Sequence, residues 1–130
     1  MTITCATPGD LTVNYTVRDM RWTRHHNRIE LDFDLALTPL YTTASGTLII
    51  SGLPVPAKQA SRSSGSLAYK QNVALPTNYD WAVPVAAPDN SYLNLRASGM
   101  AGGVASTLLN ITAMPNNVAV ILRGSISYEI

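Results

Sequence analysis

Three carboxylates alternate with apolar residues along one short segment, IELDFDLAL, in which the acids are Glu30, Asp32 and Asp34. Two carboxylates on either side of a sugar bond can hydrolyse it, provided that one of them has a raised pKa and acts as a general acid. Arginines precede this segment in the sequence, and a neighbouring arginine lowers a carboxyl pKa. The pattern therefore predicts ion-paired surface acids and no hydrolytic activity.

Other catalytic arrangements are equally poorly represented. The histidines of the chain, His25 and His26, are adjacent in a predicted turn, where their side chains diverge instead of converging on a metal ion. The sequence contains no Gly-x-Ser-x-Gly motif for a serine nucleophile and no glycine-rich phosphate-binding motif. These observations predict a non-enzymatic protein without a metal or a cofactor.

Aromatic and polar residues in the middle of the sequence are suited to binding sugars. Aromatic rings cover the apolar faces of sugars, and amide, hydroxyl and charged groups bond sugar hydroxyls. The predicted binding residues are a central group and a pair near a hairpin end: Tyr79, Asp80, Trp81, Asn90, Tyr92, Asn94 and Arg96, with Trp22 and Arg24. For Trp81 and Tyr92, a place in the core or in a subunit interface stays open.

The elements that must position these residues are strands. Gly, Pro, Asn and Ser clusters interrupt the chain at short intervals, and apolar residues lack the period of a helix. We expect an all-β fold of about eight strands, closed as a two-sheet antiparallel jelly-roll sandwich or as a small barrel. The long first and last strands favour the sandwich, in which these two strands can lie side by side.

The clearest local feature is a long hairpin. Residues 12–24 and 29–37 predict two antiparallel strands joined by a turn at residues 25–27, where an asparagine tolerates a left-handed backbone. A change of alternation predicts a β-bulge near Asp19 or Met20. The first strand carries three arginines that are predicted to pair with the acids of the second: Arg18, Arg21 and Arg24.

Length and charge limit the remaining possibilities. The 130 residues predict a single domain, 1–130, with residues 1–11 as a loose extension that carries a free thiol at Cys5. The formal net charge of +1 argues against nucleic acid as a partner, and no apolar run is long enough for insertion into a membrane. The polar segment 58–66 predicts a loop, and the N-terminus lacks the pattern of a signal peptide.

Two motifs carry a family resemblance. The segment GTLIISGLP, with Gly46, Leu48, Gly52 and Pro54, and the final GSISYEI, with Tyr128, resemble the C-terminal head domain of bacteriophage tail fibres and tailspikes. Val55 stands where that family usually has Phe. The resemblance implies a jelly roll similar to tumour necrosis factor and complement-head domains, assembled as a homotrimer. Three-fold symmetry would leave open a metal site formed by histidines pooled at the axis.

The resemblance implies a function and a location. We expect a receptor-binding head at the distal end of a fibre or spike in the virion tail, which recognises bacterial surface polysaccharide or lipopolysaccharide and is made in the host cytoplasm. One alternative is a structural module that trimerises and caps a longer fibre without a ligand of its own. Another is a cytokine-like or complement-like head, which is disfavoured because nothing in the sequence marks secretion.

Overall fold

The computed structural model describes residues 1–58, 63–99 and 105–130. These residues form nine strands and one 3₁₀ turn, Ile111–Ala113. The strands, in chain order, are β1 (Thr2–Thr7), β2 (Thr12–His25), β3 (Arg28–Leu40), β4 (Ser45–Ser51), β5 (Ser64–Gln71), β6 (Trp81–Ala86), β7 (Tyr92–Ser98), β8 (Thr107–Leu108) and β9 (Val120–Glu129).

The strands form two sheets. Sheet A has the order β1-β4-β7-β6, with the short β8 also paired to β7, and sheet B has the order β2-β3-β9-β5. All of these pairings are antiparallel. The predicted two-sheet antiparallel sandwich is therefore confirmed. The long strands β2 and β9 share a sheet, but they are not side by side as expected, because β3 lies between them.

Alternation along the strands builds the core. In β3 every second residue from Ile29 to Leu37 is buried, and Leu48 and Ile50 of β4 are buried in the opposite sheet. Successive side chains of a strand point to opposite faces, so these residues fill the space between the sheets. Each large aliphatic side chain buried in this way contributes about 1.5–3 kcal/mol.

Sheet A is interrupted between β4 and β7 by the segment that follows β8. The N–H of Leu48 donates to the carbonyl of Leu109 at 2.9 Å, and the N–H of Leu109 donates to the carbonyl of Leu95 at 2.8 Å. Leu109, Ile111 and Met114 are all buried. This segment therefore fills the space where β4 and β7 separate, and it places residues 107–110 in sheet A as an intermediate strand.

The expectation of a loose N-terminal extension is wrong for residues 2–7. They form β1, which pairs with β4 from Thr2 opposite Ser51 to Thr7 opposite Ser45. Ile3 and Cys5 point into the core, so the Cys5 thiol is buried and does not lie near a loose end. The nonlocal pairing with β4, and not the local sequence, gives this segment its order.

The hairpin β2–β3 is confirmed, but its bulge is misplaced in the prediction. The turn lies between His25 and Arg28, with His26 in the left-handed region at φ 53°. The register shifts between Tyr15 and Val17, three to four residues before the predicted position. A bulge there reverses the facing of every later side chain of β2.

This shift overturns the predicted arginine pairs. Arg18 is opposite Leu35, and its guanidinium donates to the Met1 carbonyl and to the Thr2 hydroxyl. Arg24 is opposite Ile29 and donates to the His26 carbonyl at 2.9 Å. Among the three arginines, Arg21 alone is opposite one of the acids, Asp32.

The segment GTLIISGLP ends β4 and turns the chain away from sheet A. Gly52 has φ 103°, a conformation that favours glycine, and a Cβ there would lie 3.2 Å from the Met1 Cα. The N–H groups of Gly52 and Leu53 both donate to the carbonyl of Ser91. In the segment predicted as a loop, 58–66, residues 59–62 lie outside the described residues and Ser64 to Ser66 belong to β5.

Candidate functional site

Four of the predicted sugar-binding residues come together on the outer side of sheet A. Trp81 begins β6, and Tyr92, Asn94 and Arg96 alternate along the neighbouring β7. Because residues directly across a strand pair share a face, the register places Arg96 beside Val83 and Asn94 beside Val85. The structure therefore gathers these residues on one surface, although they come from two strands.

One part of that surface is apolar. We call it the apolar face, and it consists of the outward residues Ile49, Trp81, Val83, Val85, Tyr92 and Leu108. Trp81 is 41% exposed and Leu108 is 37% exposed, and the others are partly buried. A strand face directed away from the core is ordinarily polar, so an apolar face on both sides of sheet A is typical of a surface that another subunit covers.

The polar side chains on the apolar face are already bonded within the chain. The Asn94 amide donates to the carbonyl of Leu48 at 3.0 Å. The Arg96 guanidinium donates to the hydroxyl of Ser106 at 2.8 Å. These bonds hold residues 106–110 and β4 against β7, so both side chains have a structural role.

The other predicted residues are dispersed. Tyr79 is half-buried, and its hydroxyl donates to the carbonyl of Ala105 at 2.6 Å, beside a depression of about 560 Å³ that it helps to line. The backbone N–H of Asp80 donates to the carbonyl of Ser98, and Asn90 bonds its own turn at Pro88. Trp22 and Arg24 lie on β2 in the other sheet, so they belong to a different surface.

The outer side of sheet B holds a site that the sequence did not indicate. Two open depressions, of about 390 and 490 Å³, share Asp32 and Ser125 and so form one continuous feature, which we call the polar trough. Its outward-facing lining residues are Asp19, Arg21, Glu30, Asp32, Asp34, Ser64, Ser66, Arg123, Ser125 and Ser127.

Small side chains on two strands create the trough. The outward positions of β5 and β9 hold Ser64, Ser66, Ser125 and Ser127, which are opposite one another in register. The hydroxyls of Ser66 and Ser125 are 3.4 Å apart. Serine is short, so the sheet surface is low along this line and higher where longer side chains begin. A hydroxyl both donates and accepts hydrogen bonds, so the low line is also a row of adaptable polar groups.

One end of the trough is bounded by a stack of three side chains, of which Asp34 and Arg123 line the depression and Tyr69 lies next to Arg123. The Arg123 Nε lies 3.0 Å from each carboxylate oxygen of Asp34, and its guanidinium lies 5.8 Å from the ring centre of Tyr69. A register shift at Ala68 keeps Tyr69 on the outer face, where it is 46% exposed. The contacts fix the direction of the guanidinium and leave a large part of the ring open to solvent.

The remainder of the lining carries acids that are less constrained. Arg21 lies 3.6 Å from Asp19 in a highly exposed pair, which contributes little to stability. Within the described residues, Glu30 and Asp32 form no salt bridge. The predicted ion pairing of the acids is thus right for Asp34, with Arg123 as its partner in place of an arginine of β2, and wrong for Glu30 and Asp32.

The signal for this site was partly present in the sequence. The outward facing of Glu30, Asp32 and Asp34 follows from the alternation of β3, and the alternation of β9 places Arg123 and Ser125 together. What the sequence does not contain is the order β3-β9-β5, which joins segments about ninety and sixty residues apart. Without that order the acids, the serines and Tyr69 cannot be assigned to one surface.

In residues 1–58, 63–99 and 105–130, no three His, Cys, Asp or Glu side chains are grouped so that they could hold an ion. His25 and His26 are both exposed at the hairpin tip. No helix in this described part of the chain is long and apolar enough to cross a membrane.

The fold is a two-sheet antiparallel β-sandwich whose two outer faces differ in composition. A solved structure with this fold is that of the Dettilon tailspike protein, which matches 98% of this chain with a TM-score of 0.56 and 14% sequence identity. The chain spans 24% of the length of that protein. No family model matches the sequence, and no curated protein matches it. The likeness is one of fold.

Proposed function

We propose that this chain is the non-enzymatic receptor-binding head of a phage tail fibre or tailspike, which recognises bacterial surface polysaccharide or lipopolysaccharide as a homotrimer. The observation that carries the proposal is the likeness of fold to a phage tailspike over 98% of the chain. The sequence motifs GTLIISGLP and GSISYEI support it independently, because they resemble the head domains of the same class of virion protein.

The apolar face supports the homotrimer. A row of partly exposed Val, Ile, Leu, Tyr and Trp side chains on the outer side of a sheet resembles the apolar centre of a subunit interface. Covering this row with another copy would bury side chains such as Val83, Val85 and Leu108. Three-fold symmetry around a fibre axis would then repeat the same contact three times.

The polar trough supports the proposed receptor-binding function. It is open, it offers carboxylate, hydroxyl and guanidinium groups, and it lies on the sheet opposite the apolar face. The trough stays accessible in an assembly that covers sheet A of each copy with a surface other than the outer side of sheet B. Three copies per head would strengthen a weak contact by multivalency.

A structural cap without a ligand is the second candidate. The apolar face favours it to the same degree, since a trimerisation module requires only a subunit contact.

Two measurements test the proposal. Light scattering should give about three times the chain mass of 14.0 kDa, and a monodisperse monomer at micromolar concentration would contradict the trimer. The assembled protein should also bind bacterial lipopolysaccharides or capsular polysaccharides immobilised on a glycan array. Trimers that bind nothing on the array or on intact bacteria would instead indicate the structural cap.

A further inference from the structure

We propose that the polar trough is the ligand site, and that its ligand is an uncharged, hydroxyl-rich segment of a glycan chain. This inference rests on the proposed receptor-binding function and gives it a place and a ligand class. It also replaces the site predicted on β6 and β7, where Asn94 and Arg96 are already bonded within the chain.

The charge of the trough selects against acidic glycans. Its lining contains four carboxylates, those of Asp19, Glu30, Asp32 and Asp34, and two guanidiniums, and a third guanidinium, that of Arg28, donates to the lining residue Ser127, for a net charge of −1. The Arg123 guanidinium is paired with Asp34 through its Nε, so part of its charge is already balanced within the chain. An anionic sugar would therefore meet a field of its own sign.

The same groups suit sugar hydroxyls. Glu30 and Asp32, which form no salt bridge within the described residues, can each accept hydrogen bonds from hydroxyl donors. Ser64, Ser66 and Ser125 beside them can donate or accept, as the sugar requires, whereas the Ser127 hydroxyl already accepts a bond from Arg28. A cationic sugar is less well matched, because an ion pair at so open a position contributes little in water.

The stack of Tyr69, Arg123 and Asp34 gives the site its orientation. The exposed ring of Tyr69 can cover the apolar C–H face of one sugar unit. Arg123 is positioned by Asp34 on one side and by the ring on the other, so little side-chain entropy is lost on binding. The glycan would then extend from Tyr69 across the serines towards Glu30.

Substitutions at the centre of the trough test this placement. Asp32 and Ser125 line both depressions, so Asp32→Asn should weaken binding at least tenfold by removing an ionised acceptor, and Ser125→Tyr should block the trough. Asp89→Asn changes an exposed acid in the β6–β7 loop and is the matched control. Arg96→Ala tests the competing site on sheet A. Neither of the last two should weaken binding.

The measurement is calorimetry of the assembled protein with short oligosaccharides, chosen from an array of neutral, amino-sugar and acidic bacterial glycans. We expect neutral glycans to bind, with an affinity that changes less than threefold between 50 and 500 mM NaCl, because no net ion pair forms. Particle mass should be the same in all variants, and the melting temperature should fall only in Arg96→Ala, which loses the bond to Ser106. Two trough variants are used so that misfolding of one leaves the other informative.

The contrary outcomes are distinct. Binding restricted to acidic or amino-sugar glycans, with a steep salt dependence, would overturn the ligand class. Unchanged glycan binding in both trough variants, or loss of binding in Arg96→Ala alone, would overturn the site while leaving the receptor-binding function intact. A parent protein that binds no glycan and no bacterial cell would instead overturn the proposed function itself.

Discussion

The outer sides of the two sheets contrast with one another although the same strand alternation generates both. On sheet A the outward positions carry Val83, Val85 and Trp81, whereas on sheet B the equivalent outward positions carry serines, acids and arginines. The fully buried residues of both sheets, within the described part of the chain, are all hydrophobic. The core of a sandwich therefore constrains only half of each strand, and the other half is free to build a subunit contact on one side and a ligand surface on the other.

The largest effect that separates the two faces should come from a buried charge. We expect Val85→Glu to dissociate the proposed trimer at micromolar concentration. Val85 lies beside Asn94 and not beside Arg96, so the carboxylate would be desolvated in an apolar contact without a cationic partner directly across the strand pair. The matched change on the other sheet, Ser66→Glu, should leave the trimer intact. Sedimentation velocity measures both. If both variants dissociate to the same extent, or if neither dissociates, the outer faces of the two sheets do not differ in their contribution to assembly.

The next effect compares the inner and outer sides of one strand. Phe33 is 4% exposed beneath the polar trough, and Phe33→Ala should cost about 3–5 kcal/mol of stability through lost burial and a cavity. Asp34, its outward neighbour, makes a partly exposed pair with Arg123, so Asp34→Ala should cost less than about 1 kcal/mol. Denaturant unfolding of both variants is the measurement, and similar losses would mean that β3 faces the other way.

The smallest effect concerns Asp10, which belongs to neither face. Its carboxylate accepts bonds from the hydroxyl and N–H of Thr42 and from the N–H and hydroxyl of Thr43, so it joins the β1–β2 turn to the β3–β4 turn. The Thr42 hydroxyl, followed by the N–H groups of Thr43 and Thr42, holds the pKa of Asp10 well below its usual range.

Because the pKa of Asp10 is lowered in the folded state, the direction in which pH changes the stability is defined. The stability that Asp10 contributes is fully present above its unfolded pKa, near pH 4, and is lost as the pH falls further towards the folded value. Between pH 6 and pH 2.5, the melting temperature of the parent should therefore fall further than that of the Asp10→Asn variant. Parallel thermal melts across that range would exclude a role for these bonds in stability.

The sequence predicted the sandwich and the β2–β3 hairpin because both depend on local alternation and turn residues. It missed β1, whose short TITCAT segment is ordered only by pairing with β4 some forty residues away. It placed the bulge of β2 too late, because a change of alternation shows that a residue is inserted but does not locate it between Tyr15 and Val17.

For the candidate sites, too, the sequence predicted what depends on local pattern and missed what depends on strand order. The proximity of Tyr92, Asn94 and Arg96 follows from the period of one strand and was predicted. Their internal bonds to Leu48 and Ser106 depend on how residues 106–110 enter sheet A, and no local pattern encodes that. The polar trough requires both the strand order of sheet B and the register shift that turns Tyr69 outward.

The position of β9 has a consequence for how the chain is made. This strand lies at the centre of sheet B, between β3 and β5, yet it is the last of the described strands to be synthesised. Until residue 129 has left the ribosome, β9 cannot pair with β3 or β5. During that time the β2–β3 hairpin and β5 each present an unpaired strand edge. A chain cut short before β9 would keep those edges open and be prone to aggregate.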